Sequence, residues 1–393
     1  MLGIAIRIAQ RMGIHSESIL AKYNTLDAEM SRRLWWSLML YDSRIGEMAN
    51  DKATTLLPTW DCRIPLNVND SDLRQEMKGS PQIQGKLTDA IFAVVRSKLA
   101  DFVRRTTFHL SFFGPDPVVR HDTDIEDGEM DSFARTIEDN YLSFCDQDNP
   151  LHFMTIWTTR GSLAKFRLME HHFRYYGSPL HQAETQRNTA LSYALSMLEC
   201  NTKLISSPLT KGFIWMVNSY FPFIGYIQIV QHLKWRPMSA QATEAWKVMS
   251  DNYHARLHYQ SMGENFFKLL TSFILQAWEA RMAAFKESGE ELVTPDMVLS
   301  IRYSLAQMAD NPGAWKLNSA MDIGALDFPM SMSMGLGSYG IGGHDDYALL
   351  GSGAYPNIPG LSLQDLDMAH LDWSAMDCSL GSTSTTGRDI SQG

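Results

Sequence analysis

Apolar residues recur at helical spacing through most of the first 316 positions, and no stretch sustains the period-two alternation of a large sheet. Asp27 reads as the cap of a helix whose stripe is Met30, Leu34, Leu38, Tyr41 and Ile45. From Lys86, the residues Leu87, Ile91, Val94, Val95, Leu99 and Phe102 form a second stripe, and Phe133, Ile137 and Tyr141 a third. Phe153, Trp157, Leu163 and Leu168 follow Pro150, which suits an early helix position. Leu191, Ala194, Leu195 and Leu198 continue the pattern, as do Ala242, Trp246, Met249 and Tyr253. Phe266, Leu269, Phe273, Ala277 and Trp278 mark another helix, and Pro295 opens one with Val298, Ile301, Leu305 and Met308. The predicted fold is all-α: one large helical domain over 1–316, then a tail over 317–393.

The most apolar run is Phe213–Val230. A membrane span needs about 20 predominantly apolar residues. This run contains Asn218, Ser219, Pro222, Gly225 and Gln228, so it is expected to be a buried core helix bent near Pro222. Met1 leads straight into Leu2, Ile4, Ala5, Ile8 and Ala9 at helical spacing, without a signal-peptide pattern. A helix from the first residue is expected inside a longer protein.

Charge separates the two parts. Asn318 to the end holds nine Asp and one Arg with no Glu or Lys, a charge of −8 out of −10 for the whole chain. The body is therefore near neutral and has no strong field for nucleic-acid phosphates. The doublets Arg32-Arg33 and Arg104-Arg105 are expected to flank buried helix faces. Twelve of the 26 glycines lie in the tail, with a Met/Ser/Gly run over Pro329–Gly343. No helical stripe spans it, so it is expected to be disordered. Gly114–Asp131, with seven acidic residues and two prolines, is expected to be an exposed acidic loop.

Candidate chemistry is sparse. Cys62, Cys145, Cys200 and Cys378 lie far apart and none shows C-x2-C spacing, against a disulfide framework or a zinc site. Gly335-Leu-Gly-Ser-Tyr-Gly340 matches G-x-G-x-x-G but lacks the strand and helix that a dinucleotide site needs. The acidic run from Asp122 has Asp127 and Phe133 where a calcium loop requires Gly and Glu. His254 and His258 share a helix face but lack the Glu of a zinc protease, and His171-His172 point to different sectors. No cofactor, metal or catalytic residue is expected in this chain.

The informative stretch is Met30–Leu73. It contains Arg32-Arg33-Leu34-Trp35-Trp36, then Asp42, seven residues after Trp35 and near the same helix face. Asp61-Cys62-Arg63-Ile64-Pro65-Leu66-Asn67-Val68-Asn69-Asp70 follows. Pro65 favours an extended Ile64, Asn67, Asn69 and Asp70 favour tight turns, and Asp70 or Ser71 is placed to cap a short helix toward Met77.

This combination resembles the middle homology region of fungal-specific transcription factors, the regulatory domain of zinc-cluster activators. Ile64 stands where Leu is common. Ala9-Gln10-Arg11-Met12-Gly13-Ile14-His15 and Leu233-Lys234-Trp235-Arg236-Pro237 are similar to further segments of that family. The resemblance implies a helical domain in a nuclear regulator of RNA polymerase II transcription, often of metabolic or secondary-metabolite genes. It also implies promoter DNA and a homodimer as partners, with zinc held by an N-terminal six-cysteine cluster. The four cysteines of this chain cannot form that cluster. A non-DNA-binding protein that modulates a full-length regulator is the alternative.

In the tail, Leu361, Leu363, Leu366, Met368, Leu371, Trp373 and Met376 alternate with Asp365, Asp367, Asp372 and Asp377. Acidic residues keep apolar ones solvated until they meet a coactivator groove, so 361–377 is the expected activation segment.

Overall fold

The computed structural model describes residues 1–49, 60–77, 87–105, 128–174, 184–257, 264–289 and 292–310. Twelve α-helices run through them in chain order: α1 (Leu2–Met12), α2 (Glu17–Leu20), α3 (Thr25–Ala49), α4 (Ile91–Arg105), α5 (Glu129–Asn140), α6 (Pro150–Arg174), α7 (Glu184–Ser206), α8 (Ile214–Asn218), α9 (Phe223–Trp235), α10 (Ala242–Leu257), α11 (Glu264–Ser288) and α12 (Asp296–Asp310). No strand occurs among the described residues, so the fold is all-α. The tail over 317–393, with the proposed segment Leu361, Leu363, Leu366, Met368, Leu371, Trp373 and Met376, lies outside the described residues. So do most of the acidic stretch 114–131, the glycine motif, and His258.

α7 and α9 form the centre. α6 lies along α7, α9 and α10 pack on α7, and α11 packs on α9. A helix apolar on all sides has to be buried on all sides, and α9 obeys: Phe223, Ile224, Tyr226, Ile227, Ile229, Val230 and Leu233 are all buried. Gly225 lets α9 approach α7, because a Cβ there would come within 2.7 Å of Leu198 Cδ1 and 3.3 Å of the Ala194 carbonyl oxygen. The main core also takes in faces of α4, α5, α10, α11 and α12. The expected bend near Pro222 is present. The chain turns by 88° between Pro208–Asn218 and Phe223–Trp235, and among the described residues no single helix is long and apolar enough to cross a membrane.

Helices α1 to α3 and the loop after Trp60 build a second, smaller core around Ile14, Leu20, Trp35, Trp36, Trp60 and Cys62. Here the sequence expectation has to be corrected. Met30, Leu34, Tyr41 and Ile45 are exposed, Leu34 to 50%, whereas Trp35 is 0% exposed. The buried face of α3 is Ala28, Glu29, Trp35 and Trp36, with Leu38 half-buried at its edge. α3 carries apolar residues on two opposite faces, and the larger tryptophans, which bury the most area, win the core side.

Three boundaries also differ. Asn24, not Asp27, caps α3: its Oδ1 accepts the Asp27 N–H at 2.8 Å and its Nδ2 donates back to Asp27 Oδ2 at 2.7 Å. Asn69, not Asp70 or Ser71, caps the next turn, which is a single 3-10 turn over Asp70–Asp72 and does not extend toward Met77. Glu129 and Asp131 belong to the first turn of α5 rather than to a loop, where acidic side chains complement the helix dipole.

Candidate functional site: the junction between α3 and the Trp60–Leu73 loop

The sequence motif folds into one structural unit. Helical spacing places Glu29, Arg32, Arg33 and Trp36 along one side of α3, and the loop 60–73 lies across it. Glu29 is 0% exposed. Its Oε1 accepts the Leu66 N–H at 2.9 Å and Arg33 Nε at 3.3 Å, and Oε2 lies 3.6 Å from Arg32 Nη1. Arg33 reaches on to Asp70 at 2.6 Å. Arg32 pairs with Glu17 of α2, whose carboxylate also accepts the Arg63 N–H at 3.2 Å. Asp61 accepts the Glu17 N–H at 2.8 Å. Two arginines thus tie three stretches of chain together through backbone and carboxylate groups.

The electrostatics follow from this geometry. Burial pushes the Glu29 carboxyl above the usual range, and the two guanidinium groups and the Leu66 N–H only partly oppose it. Burial would raise Glu17 too, but the Arg32 hydrogen bond and the Arg63 N–H outweigh it and hold Glu17 low. Burial, then the Glu17 charge, pushes the Cys62 thiol up to about 12, so it stays protonated and unreactive.

Under the ion pairs lies an aromatic cluster. Trp60 meets Trp36 edge-on at 5.1 Å and Trp35 edge-on at 5.6 Å between ring centroids, with His15 5.6 Å from Trp35. Arg104 of α4 covers the Trp60 ring at 4.2 Å. Trp36 Nε1 donates to the Arg63 carbonyl at 2.9 Å. The end of the loop is sewn to the turn that leads into α4. Asn67 Oδ1 accepts Thr88 Oγ1 at 2.6 Å and Asn69 Oδ1 accepts the Asp89 N–H at 3.2 Å. Asn67 therefore joins two segments. Pro65 is buried and Leu66 half-buried.

Of the residues singled out in the sequence, Arg32, Arg33, Trp35, Trp36, Asp61, Pro65, Leu66, Asn67 and Asp70 meet at this junction. Leu34 points away, exposed on α3, and Asp42 lies half-buried two turns beyond Trp35. Glu17, Glu29, Trp60, Thr88 and Arg104 were not anticipated. Glu29 had a readable signal, since it sits three and four residues before the arginine pair. Glu17 and Arg104 had none, because the fold brings them in from other helices. The junction contains buried charge, hydrogen bonds and edge-on rings that hold helices in register.

Several curated fungal proteins are similar to this chain. One is "Transcriptional regulator AacuB" of Aspergillus aculeatus, 46% identical over 88% of this chain and 49% of that protein. Another is "Transcriptional regulator nsrM" of Aspergillus novofumigatus, 42% identical over 96% of this chain and 53% of that protein. A more distant one is "Aurofusarin cluster transcription factor aurR2" of Gibberella zeae, 24% identical over 74% of this chain and 43% of that protein. No family model matches, and no solved structure matches. The chain spans about half the length of the curated relatives it matches, and those relatives are fungal regulators of transcription.

Proposed function

We propose that this chain is the regulatory and activating part of a nuclear transcription regulator of RNA polymerase II genes, acting as an activator of a secondary-metabolite pathway. The observation that carries this reading is the 42–46% identity to two transcriptional regulators along 88–96% of the chain. A further relative is named a transcription factor of the aurofusarin cluster, which supports the pathway part. The buried Arg32/Arg33–Glu29–Leu66 junction fits a scaffold role, not catalysis, so the chain is not proposed as an enzyme.

The regulatory domain is residues 1–316 of a fungal-specific transcription factor, and the activating segment is 361–377 within the acidic tail. The proposed partners are promoter DNA, coactivators through the tail, and a second copy of the chain. Zinc enters only through a cysteine cluster that these four cysteines cannot supply, so DNA contact is not assigned to any residue here.

The test is to fuse residues 318–393 to an unrelated DNA-binding domain and measure a reporter. Activation that falls when Leu366, Leu371 and Trp373 are changed to Ala is expected. A silent fusion, or one indifferent to the triple change, overturns the activating role.

A further inference from the structure

Helix α1 carries more apolar surface than the fold around it covers. At 3.6 residues per turn its apolar side chains, from Ile4 round to Ile6, span an arc of about 200°, where a surface helix needs about 100°. α1 packs on α3 with one half of that arc, burying Ile6 and Ala9. The other half faces outward: Ile4 is 59%, Ile8 52% and Met12 56% exposed. These three sit four residues apart and form one ridge. Arg7 and Arg11, both exposed, run beside it, three residues after Ile4 and Ile8. Neither has an ion pair among the described residues, and α1 holds no acidic residue, so the helix carries +2. A contiguous exposed apolar ridge marks an interaction site.

Two other helices expose apolar residues, and charge separates them from α1. The outer stripe of α3 is Met30, Leu34, Tyr41 and Ile45, but its arginines are engaged: Arg32 by Glu17, Arg33 by Asp70 and Arg44 by the Ser219 carbonyl at 2.7 Å. α12 exposes Leu299 and Tyr303, yet with Asp296, Asp310 and Arg302 its charge is −1. Of the three, α1 alone joins an apolar ridge to unpaired positive charge.

The chain itself holds a complementary segment. Residues 361–377 contain Asp365, Asp367, Asp372 and Asp377 and neither Lys nor Arg. Leu366, Trp373 and Met376 recur at i, i+7 and i+10, the spacing of one helix face, which suits a helix laid on an apolar surface. Reach is no obstacle. The sequence runs 51 residues from Asp310 to Leu361, at most about 170 Å when extended. A domain of roughly 300 residues has a radius of gyration of about 20 Å.

We propose that the outer face of α1 is the docking surface for the chain's own segment 361–377. Ile4, Ile8 and Met12 meet Leu366, Trp373 and Met376, and Arg7 and Arg11 meet the aspartates. The contact stands on the α1 geometry and the tail sequence. Its consequence, that a docked segment is withheld from coactivators, rests on the activating role proposed above.

The experiment uses the full chain with a nitroxide label on Cys378, one residue beyond the segment. Cys62, Cys145 and Cys200 react poorly, because burial pushes their thiols up to about 12, 11 and 11. Methyl NMR signals are compared with the label active and reduced. Selective broadening of Ile4, Ile8 and Met12, beyond that of Ile45 and Leu299, is expected. Ile8→Glu changes an exposed residue, so it is expected to fold and to weaken docking about tenfold, the scale of one buried Ile side chain, with the broadening of Ile4 and Met12 lost. Broadening that is absent, equal at Ile45 and Leu299, or unchanged in Ile8→Glu overturns the docking. Broadening of an isotope-labelled chain by a separate spin-labelled copy gives the face to a second copy and overturns the internal contact. For the consequence, the full chain joined to an unrelated DNA-binding domain is expected to drive a reporter more strongly as Ile8→Glu than as wild type. Equal output, with the 318–393 fusion active alone, overturns the masking. A silent 318–393 fusion overturns the activating role instead and does not touch the NMR result.

Discussion

Glu29 offers a sharp test of what holds the junction together. Its carboxylate is fully buried, touches both motif arginines and accepts the Leu66 N–H. If ion pairing were the source of stability, neutralising it would be nearly as damaging as deleting it. The raised pKa argues otherwise: burial penalises the charge by more than the arginines return. Arg32 keeps Glu17 and Arg33 keeps Asp70 when Glu29 is neutral.

Glu29→Gln retains a carbonyl oxygen for Leu66 and is expected to cost about 1 kcal/mol or less. Glu29→Ala orphans a buried N–H, about 1–3 kcal/mol, and removes apolar stem at about 0.8 kcal/mol per methylene. The expected total is about 3 kcal/mol. At ~2–4 °C per kcal/mol for a domain of this size, Ala lowers Tm by about 6–12 °C and Gln by about 4 °C at most. Circular dichroism melts at pH 7 measure both. The sign with pH is also fixed. A carboxyl raised in the fold binds protons more tightly there than when unfolded, so its contribution is present at acid pH and is lost as pH rises through the folded value. Glu29→Gln removes that slope. If Gln is as destabilising as Ala, the charge and not the hydrogen bond secures the loop, and the reasoning fails.

Other outcomes follow from the same structure. Trp36→Phe, which removes the bond to the Arg63 carbonyl, is expected to cost about 1 kcal/mol, and Trp35→Ala about 3–5 kcal/mol, by urea unfolding. Leu34→Lys lies on the exposed face of α3 and is expected to change stability by no more than about 0.5 kcal/mol; a large loss would return Leu34 to the core. Burial, and then His171, hold the His172 imidazole down to about 4, and burial lowers His171 as well. An unfolded imidazole titrates near 6.5, so the unfolded chain takes protons first. For His172, stability is then complete above that value and falls as pH drops from about 6.5 toward about 4, by up to about 1.4 kcal/mol per pH unit, and His171 acts in the same direction. Urea midpoints between pH 7.5 and 4.5 show this fall, and His172→Gln reduces it. Gly13 has φ 78° and caps α1, and a Cβ there would come within 2.4 Å of Ile19 Cδ1. Gly13→Ala is therefore expected to destabilise by about 1 kcal/mol or more.

The helical class was legible because most stripes are long and single-faced. Ile91, Val94, Val95, Leu99 and Phe102 are all buried, and Pro150 opens α6 as expected. α3 misled because it is apolar on two sides, and spacing alone cannot rank them. Two adjacent tryptophans outweigh a row of Met, Leu, Tyr and Ile because each buries more area at one contact. The junction was half legible. Arg32, Arg33, Trp35 and Trp36 and the Asp61–Asp70 loop stood out as a motif, but their partners Glu17, Trp60, Thr88 and Arg104 come from elsewhere in the chain. The bend at Pro222 was readable, while the arginines that bond to it, Arg44, Arg96 and Arg256, come from three other helices.

The proposed role is tested most directly by deleting the gene, sequencing the transcripts, and restoring the gene. Loss of expression of a linked block of biosynthetic genes, recovered by the intact gene and not by one lacking codons 318–393, is the predicted result. Unchanged transcripts, with the pathway product still made, would contradict the assignment as a transcription regulator.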